Sequence, residues 1–211
     1  MSCYKRFIYD NYLRPSRLNL YSSIMDALKD KQYQCYSIYE FNAYINNNNA
    51  FPNKVLILRH DVDTDPKTAW QIAKIEHDHG FHSTYYFRLS TANEKYIKLI
   101  SEMGHEVSYH YEEIGTFAKK HNLKTKEQVY NHLQEIQSIF IHNLNTFRGK
   151  YHLQCKTVAS HGDWINAHYL HLKNNELIDD CIRKQQGIEV EAYDEKYMKY
   201  FLNARISDLG N

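Results

Sequence analysis

Proline and glycine are scarce in this chain, with three prolines and seven glycines in 211 residues. Together with 43% hydrophobic residues, this excludes a collagen-like or low-complexity chain and fits a globular one. Cysteine is as sparse: Cys3, Cys35, Cys155 and Cys181 stand far apart and form no C-x-x-C pair. That excludes a zinc ribbon or a thioredoxin-type motif and fits free thiols in a reducing compartment. Charge of one sign is missing too. The 26 basic and 25 acidic side chains leave a net +1, so nothing marks the chain for nucleic acid or an anionic membrane. No segment reaches the roughly 20 apolar residues of a membrane span. The first residues, MSCYKRFIYDNYLRPSR, lack the apolar core of a signal peptide, so the cytoplasm is the expected location. No fixed-period repeat is present.

What the chain does have is tyrosine, at 19, and histidine, at 13. With so many histidines, a motif counts only by its spacing and context. The richest stretch is LILRHDVDTDP, Leu56 to Pro66. Its branched apolar start, from Val55 to Leu58, reads as a buried strand too short for a helix. Asp65 and Pro66 read as the N-cap and first position of a helix. Arg59, His60, Asp61 and Asp63 are thereby delivered to the loop leaving a strand's C-terminal end, where parallel α/β folds build their chemistry.

Residues 1–50 read as a helical lead-in, with patterns at Leu18 to Leu28 and Ser37 to Ile45. Residues 51–211 read as the main domain. There the helix from Asp65–Pro66 stops at Gly80, followed by a strand from Ser83 to Phe87. A capping-box pattern at Thr91 and Glu94 opens a helix that ends at Gly104. The third strand is Glu106 to Tyr109. Thr125 and Gln128 form a second capping-box pattern, opening the longest helix, with the stripe Val129, Leu133, Ile136, Phe140, Leu144 and Phe147. A strand from Lys156 to Ser160, a helix around Ala167 to Ile178, and strands at Ile188 to Ala192 and Ala204 to Ser207 complete the pattern. Alternation of this kind implies parallel strands with right-handed crossovers. Six strand candidates fit an open doubly wound sheet or a barrel of fewer than eight strands.

In either case the strand C-termini share one rim. The first strand brings His60, Asp61 and Asp63 there, the third His110, Tyr111 and Glu112, and the fourth His161, Gly162 and Asp163. Two neutral imidazoles and a carboxylate suit a divalent transition metal with open coordination positions. A remaining carboxylate could act as general base. Gly162 would allow close backbone approach to a ligand. Each group also has a plainer reading, as a buried strand histidine, a helix cap or an ordinary loop carboxylate. His77, His79, His82, His142, His168 and His171 read as surface or packing residues, and His105 as structural, at the opposite rim.

With LRHDVD, STYYF, GHEVSYHYE and ASHG in this order, the sequence from about Val55 to Ser207 resembles polysaccharide deacetylase-like proteins. These form the NodB-homology superfamily, and the match is to its RHDVD-type branch. The resemblance implies a distorted or incomplete (β/α) barrel of seven or fewer parallel strands behind the helical lead-in. It implies metal-dependent hydrolysis of an acetyl group on a sugar or glycan precursor, with Zn2+ the expected ion. Asp61 matches the catalytic base, Asp63 the metal-binding aspartate and His110 the first histidine of the second motif. That motif's other histidine falls at Ile114, and His161 is the candidate replacement by its place on the rim. Arg59, His60, Tyr111, Glu112, Gly162 and Asp163 are candidate supporting or substrate-binding residues. Arg148, in FRGKY, reads as structural.

A late Leu-x-His motif is missing before Asn211, so the domain reads as truncated, with an exposed edge at Ala204 to Ser207 through which copies could pair. The alternative function is a catalytically inactive deacetylase-like domain that binds a glycan or a partner. A third is hydrolysis of a non-sugar amide on the same scaffold.

Overall fold

The computed structural model describes residues 15–48, 53–172 and 175–200. Seven short strands are described: β1 (Gln34–Tyr36), β2 (Val55–Ile57), β3 (Arg59–Val62), β4 (Thr84–Phe87), β5 (Glu106–Tyr111), β6 (Thr157–Ser160) and β7 (Val190–Glu191). Strands β3 to β7 form one parallel sheet in sequence order, with no reversal. Strands β1 and β2 form a separate parallel pair. The strand expected to start at Val55 is thus two strands that break at Leu58, one for each sheet. Val55 to Leu58 are half-buried rather than core. The expected strand Ala204 to Ser207, with its exposed edge, lies outside the described residues.

Local chemistry sets several helix ends. Helix α1 (Leu18–Asp30) is followed by α2 (Ile38–Asn47), which opens with a capping box between Ser37 and Glu40. Helix α3 (Pro66–Asp78) begins at Asp65, whose carboxylate accepts from the N–H groups of Lys67 and Thr68. Gly80 then takes φ +77°, which an L side chain resists. The Thr91 capping box does not form. Asn93 caps α4 (Glu94–Glu102) instead, and the Thr91 hydroxyl donates to the Val62 carbonyl at the end of β3. The Thr125–Gln128 box does form, but it opens only the short α6 (Lys126–Asn131). A break at His132 separates that turn from the longest helix, α7 (Leu133–Tyr151), which buries Ile136, Phe140, Leu144 and Phe147. The helix expected at Ala167 to Ile178 is a π-helical turn over Asn166–Leu170. Short helices α8 (Asp180–Gln186) and α9 (Glu195–Met198) flank β7.

The sequence reading misses helix α5 (Glu113–His121), whose residues Ile114, Phe117 and Ala118 are buried. Its Glu113 carboxyl accepts from Tyr109 Oη at 2.5 Å and from Asn143 at 2.9 Å. Gly115 is required there for space, because a Cβ would stand 2.9 Å from an Asp163 carboxylate oxygen.

Side-chain alternation divides the sheet into two faces. Tyr85, Phe87, Val107, Tyr109, Tyr111 and Val158 pack into a large core with α4, α5 and α7. On the other face Tyr86, Ala159 and Val190 pack with Ile38 and Phe41 of α2 and with Tyr197 of α9. The Tyr197 ring meets Phe41 edge-on, with centroids 5.9 Å apart. The lead-in helix α2 is therefore packed directly on the sheet. Among the described residues, no helix is long and apolar enough to cross a membrane.

Candidate metal centre

The register of the sheet explains why distant residues meet. Asp61 pairs with Tyr86, Tyr86 with Ser108, and His110 with Ala159. Two residues beyond Asp61 the chain reaches Asp63, level with His110, and two residues beyond Ala159 it reaches His161. All project on the face shared with α2. His161 N–H donates to the Tyr111 carbonyl at 2.7 Å, which ties the β6 exit to the end of β5.

Asp63 Oδ1 stands 3.5 Å from His110 Nε2 and 3.5 Å from His161 Nε2. The two rings are edge to face, with centroids 5.3 Å apart. Asp63 Oδ1 is buried yet has no hydrogen-bond partner. His110 Nδ1 lies 2.9 Å from the Ala159 carbonyl. That contact requires Nδ1–H and leaves the Nε2 lone pair facing Asp63. Burial keeps the His110 imidazole below its usual pKa, against the pull of Asp61, so it is neutral at pH 7. His161 Nδ1 is buried without a partner.

Asp63, His110 and His161 are the side chains that could share a cation here. Among the described residues, no group of three or more His, Cys, Asp or Glu side chains is arranged as it stands to hold a metal ion. The separations, however, are too long for hydrogen bonds and close to the roughly 3.4 Å edge of a tetrahedron with ligands about 2.0–2.2 Å from its centre. A cation would satisfy the orphaned Asp63 oxygen and two imidazole lone pairs together. Three protein ligands would leave an open position, the pattern of catalytic rather than structural zinc sites.

Asp61 is held differently. Arg59, on the same face of β3, grips it with Nε to Oδ1 at 2.8 Å and Nη2 to Oδ2 at 2.7 Å. Burial alone would raise the Asp61 carboxyl, but the charge and hydrogen bonds of Arg59, then the charges of His110 and His60, hold it below the usual range. Asp61 Oδ2 is 3.7 Å from His110 Nε2. The Arg59 guanidinium lies 4.4 Å from the Tyr193 ring centroid and 5.4 Å from that of Tyr86.

Several candidate residues stand elsewhere. His60, between Arg59 and Asp61, necessarily points to the opposite face. Its Nε2 is 2.6 Å from Glu76 Oε1 and its ring stacks on Tyr85, so it does not support the site directly. Tyr111 is core, with its hydroxyl on Glu191 at 3.2 Å. Glu112 is at the rim, paired with Arg88. Asp163 is buried, accepts from Ile165 N–H at 3.0 Å, and is bonded by Lys119, so it fixes the loop after β6. Gly162 is exposed in that loop. His105 is buried and bridges the Ala73 carbonyl and Ser83 N–H. His77 and His79 sit against backbone carbonyls and His82 against Glu40. Arg148 donates to the Cys155 carbonyl. Two surface clefts, at Ser37 and Gly104 to Val107 and beside Gln32 and Lys54, lie away from the Asp63 group.

The sequence reading overlooks Tyr193 and Glu191. In IEVEA, Glu189 and Glu191 alternate with apolar residues, so period-two reading places both outward and carries no signal that Glu191 is buried. Compared with protein-family models, curated proteins and solved structures, the chain gives no match.

Proposed function

We propose that this rim is the active site of a metal-dependent hydrolase that removes an acetyl group from a sugar or glycan precursor. The scaffold in this reading is the arc of an incomplete (β/α) barrel of the polysaccharide deacetylase type. Support for the barrel comes from the unreversed strand order β3 to β7; a doubly wound sheet would reverse at a switch point.

The observation that carries the functional reading is the buried, unpartnered Asp63 Oδ1 with an imidazole Nε2 3.5 Å away on either side. Asp63, His110 and His161 would hold the ion, and two nitrogens with one oxygen suit Zn2+. Such an ion polarises a carbonyl and lowers the pKa of water. Asp61 is the proton acceptor for the attacking water, kept ionised by Arg59. The same grip weakens Asp61 as a base, so proton transfer depends on how firmly Arg59 holds it. The Ala159 carbonyl orients His110 so that its free nitrogen faces the site.

A second reading, a catalytically inactive glycan- or partner-binding domain, is favoured by two observations. Ile114, at the position of the family's second histidine, is core in α5. Asp61 is also largely neutralised by Arg59. One experiment separates the two: metal content of the purified protein, with acetate release from acetylated sugars before and after chelation. The hydrolase reading expects about one zinc per chain and acetate release that chelation abolishes and zinc restores. Zinc without acetate release favours the binding domain. Protein that takes up no metal rules out the proposed centre.

A further inference from the structure

Glu191 is fully buried on β7 and bonded to three donors from three different segments. Its Oε1 accepts from Ser160 N–H at 3.1 Å and from Tyr111 Oη at 3.2 Å. Its Oε2 accepts from Tyr193 N–H at 2.7 Å. Ser160 directly precedes His161, and Tyr111 directly follows His110. Tyr193 places its ring over Arg59, which grips Asp61. One carboxylate that touches none of these site residues is thus one residue away from both imidazoles and two contacts from Asp61.

We propose that Glu191 is the positioning residue of the rim: it fastens the ends of β5, β6 and β7 together and so presents His161 and the Arg59–Asp61 pair to the site. The inference rests on reading the rim as a metal centre. Imidazoles must be held within a fraction of an ångström to share an ion, and Glu191 adds one buried side-chain tie common to β5, β6 and β7 to the backbone bonds at their exits. Strand β7 is two residues long, so its ladder bonds alone fix little. Placing the carboxyl there is costly, since burial pushes it up to about 7 against the pull of the Tyr193 and Ser160 N–H groups. No apolar side chain could receive the Ser160 and Tyr193 N–H groups, which would then be buried without this acceptor.

Two variants dissect the role. Glu191→Ala removes every acceptor. Glu191→Gln keeps one acceptor oxygen and puts an NH2 group in place of the other. It can therefore serve Ser160 or Tyr193, but not both. Long-range proton–nitrogen correlation spectra of the metal-free protein read each histidine ring directly. His105, held by Ala73 and Ser83 away from β7, is the internal control.

The expected result is that the His161 ring signals shift or broaden in both variants, more in Ala than in Gln, while those of His105 stay in place. Zinc titration of the same proteins should show affinity falling about 10- to 100-fold in Glu191→Ala, the usual loss when a supporting group is removed. The inference is overturned if the His161 signals do not move, or if His105 moves with them as the whole fold loosens. If Glu191→Ala does not fold, Glu191→Gln decides by the same criterion. If the wild type binds no zinc, the metal reading fails, and the ring signals still decide whether Glu191 positions His161.

Discussion

Arg59 and Asp61 lie two residues apart on one face of β3 and form a two-pronged ion pair at 2.7 and 2.8 Å. The pair gives the two neighbouring aspartates unlike environments. Asp61 is neutralised by a resident guanidinium, whereas the Asp63 oxygen that faces the histidines has no partner. Two close carboxylates repel unless cations separate their roles. Here one cation is built into the chain, and in the proposed centre a metal ion would be the other.

The first expectation follows from that asymmetry. Asp63→Ala should abolish stoichiometric zinc binding and acetate release together. Asp61→Asn should keep zinc but lower acetate release by about 10²- to 10⁴-fold, the usual contribution of a general base. Metal analysis and acetate assay of both proteins check this. Loss of zinc in Asp61→Asn with retention in Asp63→Ala would reverse the two roles.

Arg59→Met should move the acid limb of the pH–rate profile to higher pH. The Arg59 charge and hydrogen bonds are the main opposition to burial in setting the Asp61 carboxyl, and without them that carboxyl rises. A profile measured on both proteins that does not move would show that Asp61 is not the group titrating in the rate.

The His110 ring should appear at pH 7 as the neutral Nδ1–H tautomer in nitrogen spectra. Burial disfavours its charged form, and the Ala159 carbonyl fixes the proton on Nδ1. A charged ring or the Nε2–H tautomer would remove the free lone pair that the proposed centre needs.

Ile114→His should not supply a missing ligand. Ile114 is 3% exposed and packs in the large core, so an imidazole there is buried without a designed partner. Stability should fall by about 1–3 kcal/mol in denaturant unfolding, with zinc affinity unchanged. Tighter zinc binding would place position 114 at the site after all.

Acid should weaken the fold through Glu76. Burial would raise this carboxyl, but the His60 charge and hydrogen bonds from His60 and Tyr21 outweigh it and hold the pKa at about 2, below the ordinary 4.5. A depressed carboxylate stabilises the fold above its unfolded pKa and loses that stabilisation as pH falls toward the folded value. The window is therefore about pH 4.5 down to 2, and the loss about 3 kcal/mol at roughly 1.4 kcal/mol per unit. Unfolding curves of wild type and Glu76→Gln across that window should converge as pH falls. Parallel curves would exclude Glu76 as the source.

By itself the sequence determined the alternation of strand and helix and several element ends. The Asp65–Pro66 start of α3, the Gly80 stop and the Thr125–Gln128 box depend on groups within a few residues of one another. It also determined that polar residues leave the ends of β3, β5 and β6. Tertiary structure alone decided which of them meet. A period-two pattern distinguishes the faces of a strand but does not identify the neighbour on each face. The sheet register brings Asp63 level with His110, and alternation sends His60 to Glu76 on the far side. Thr91 bonds to Val62 rather than capping a helix because a carbonyl 29 residues away lies within reach of its hydroxyl. Glu191 joins segments from β5, β6 and β7, and such a contact follows from the packing of strands far apart in the chain, which local patterns do not encode.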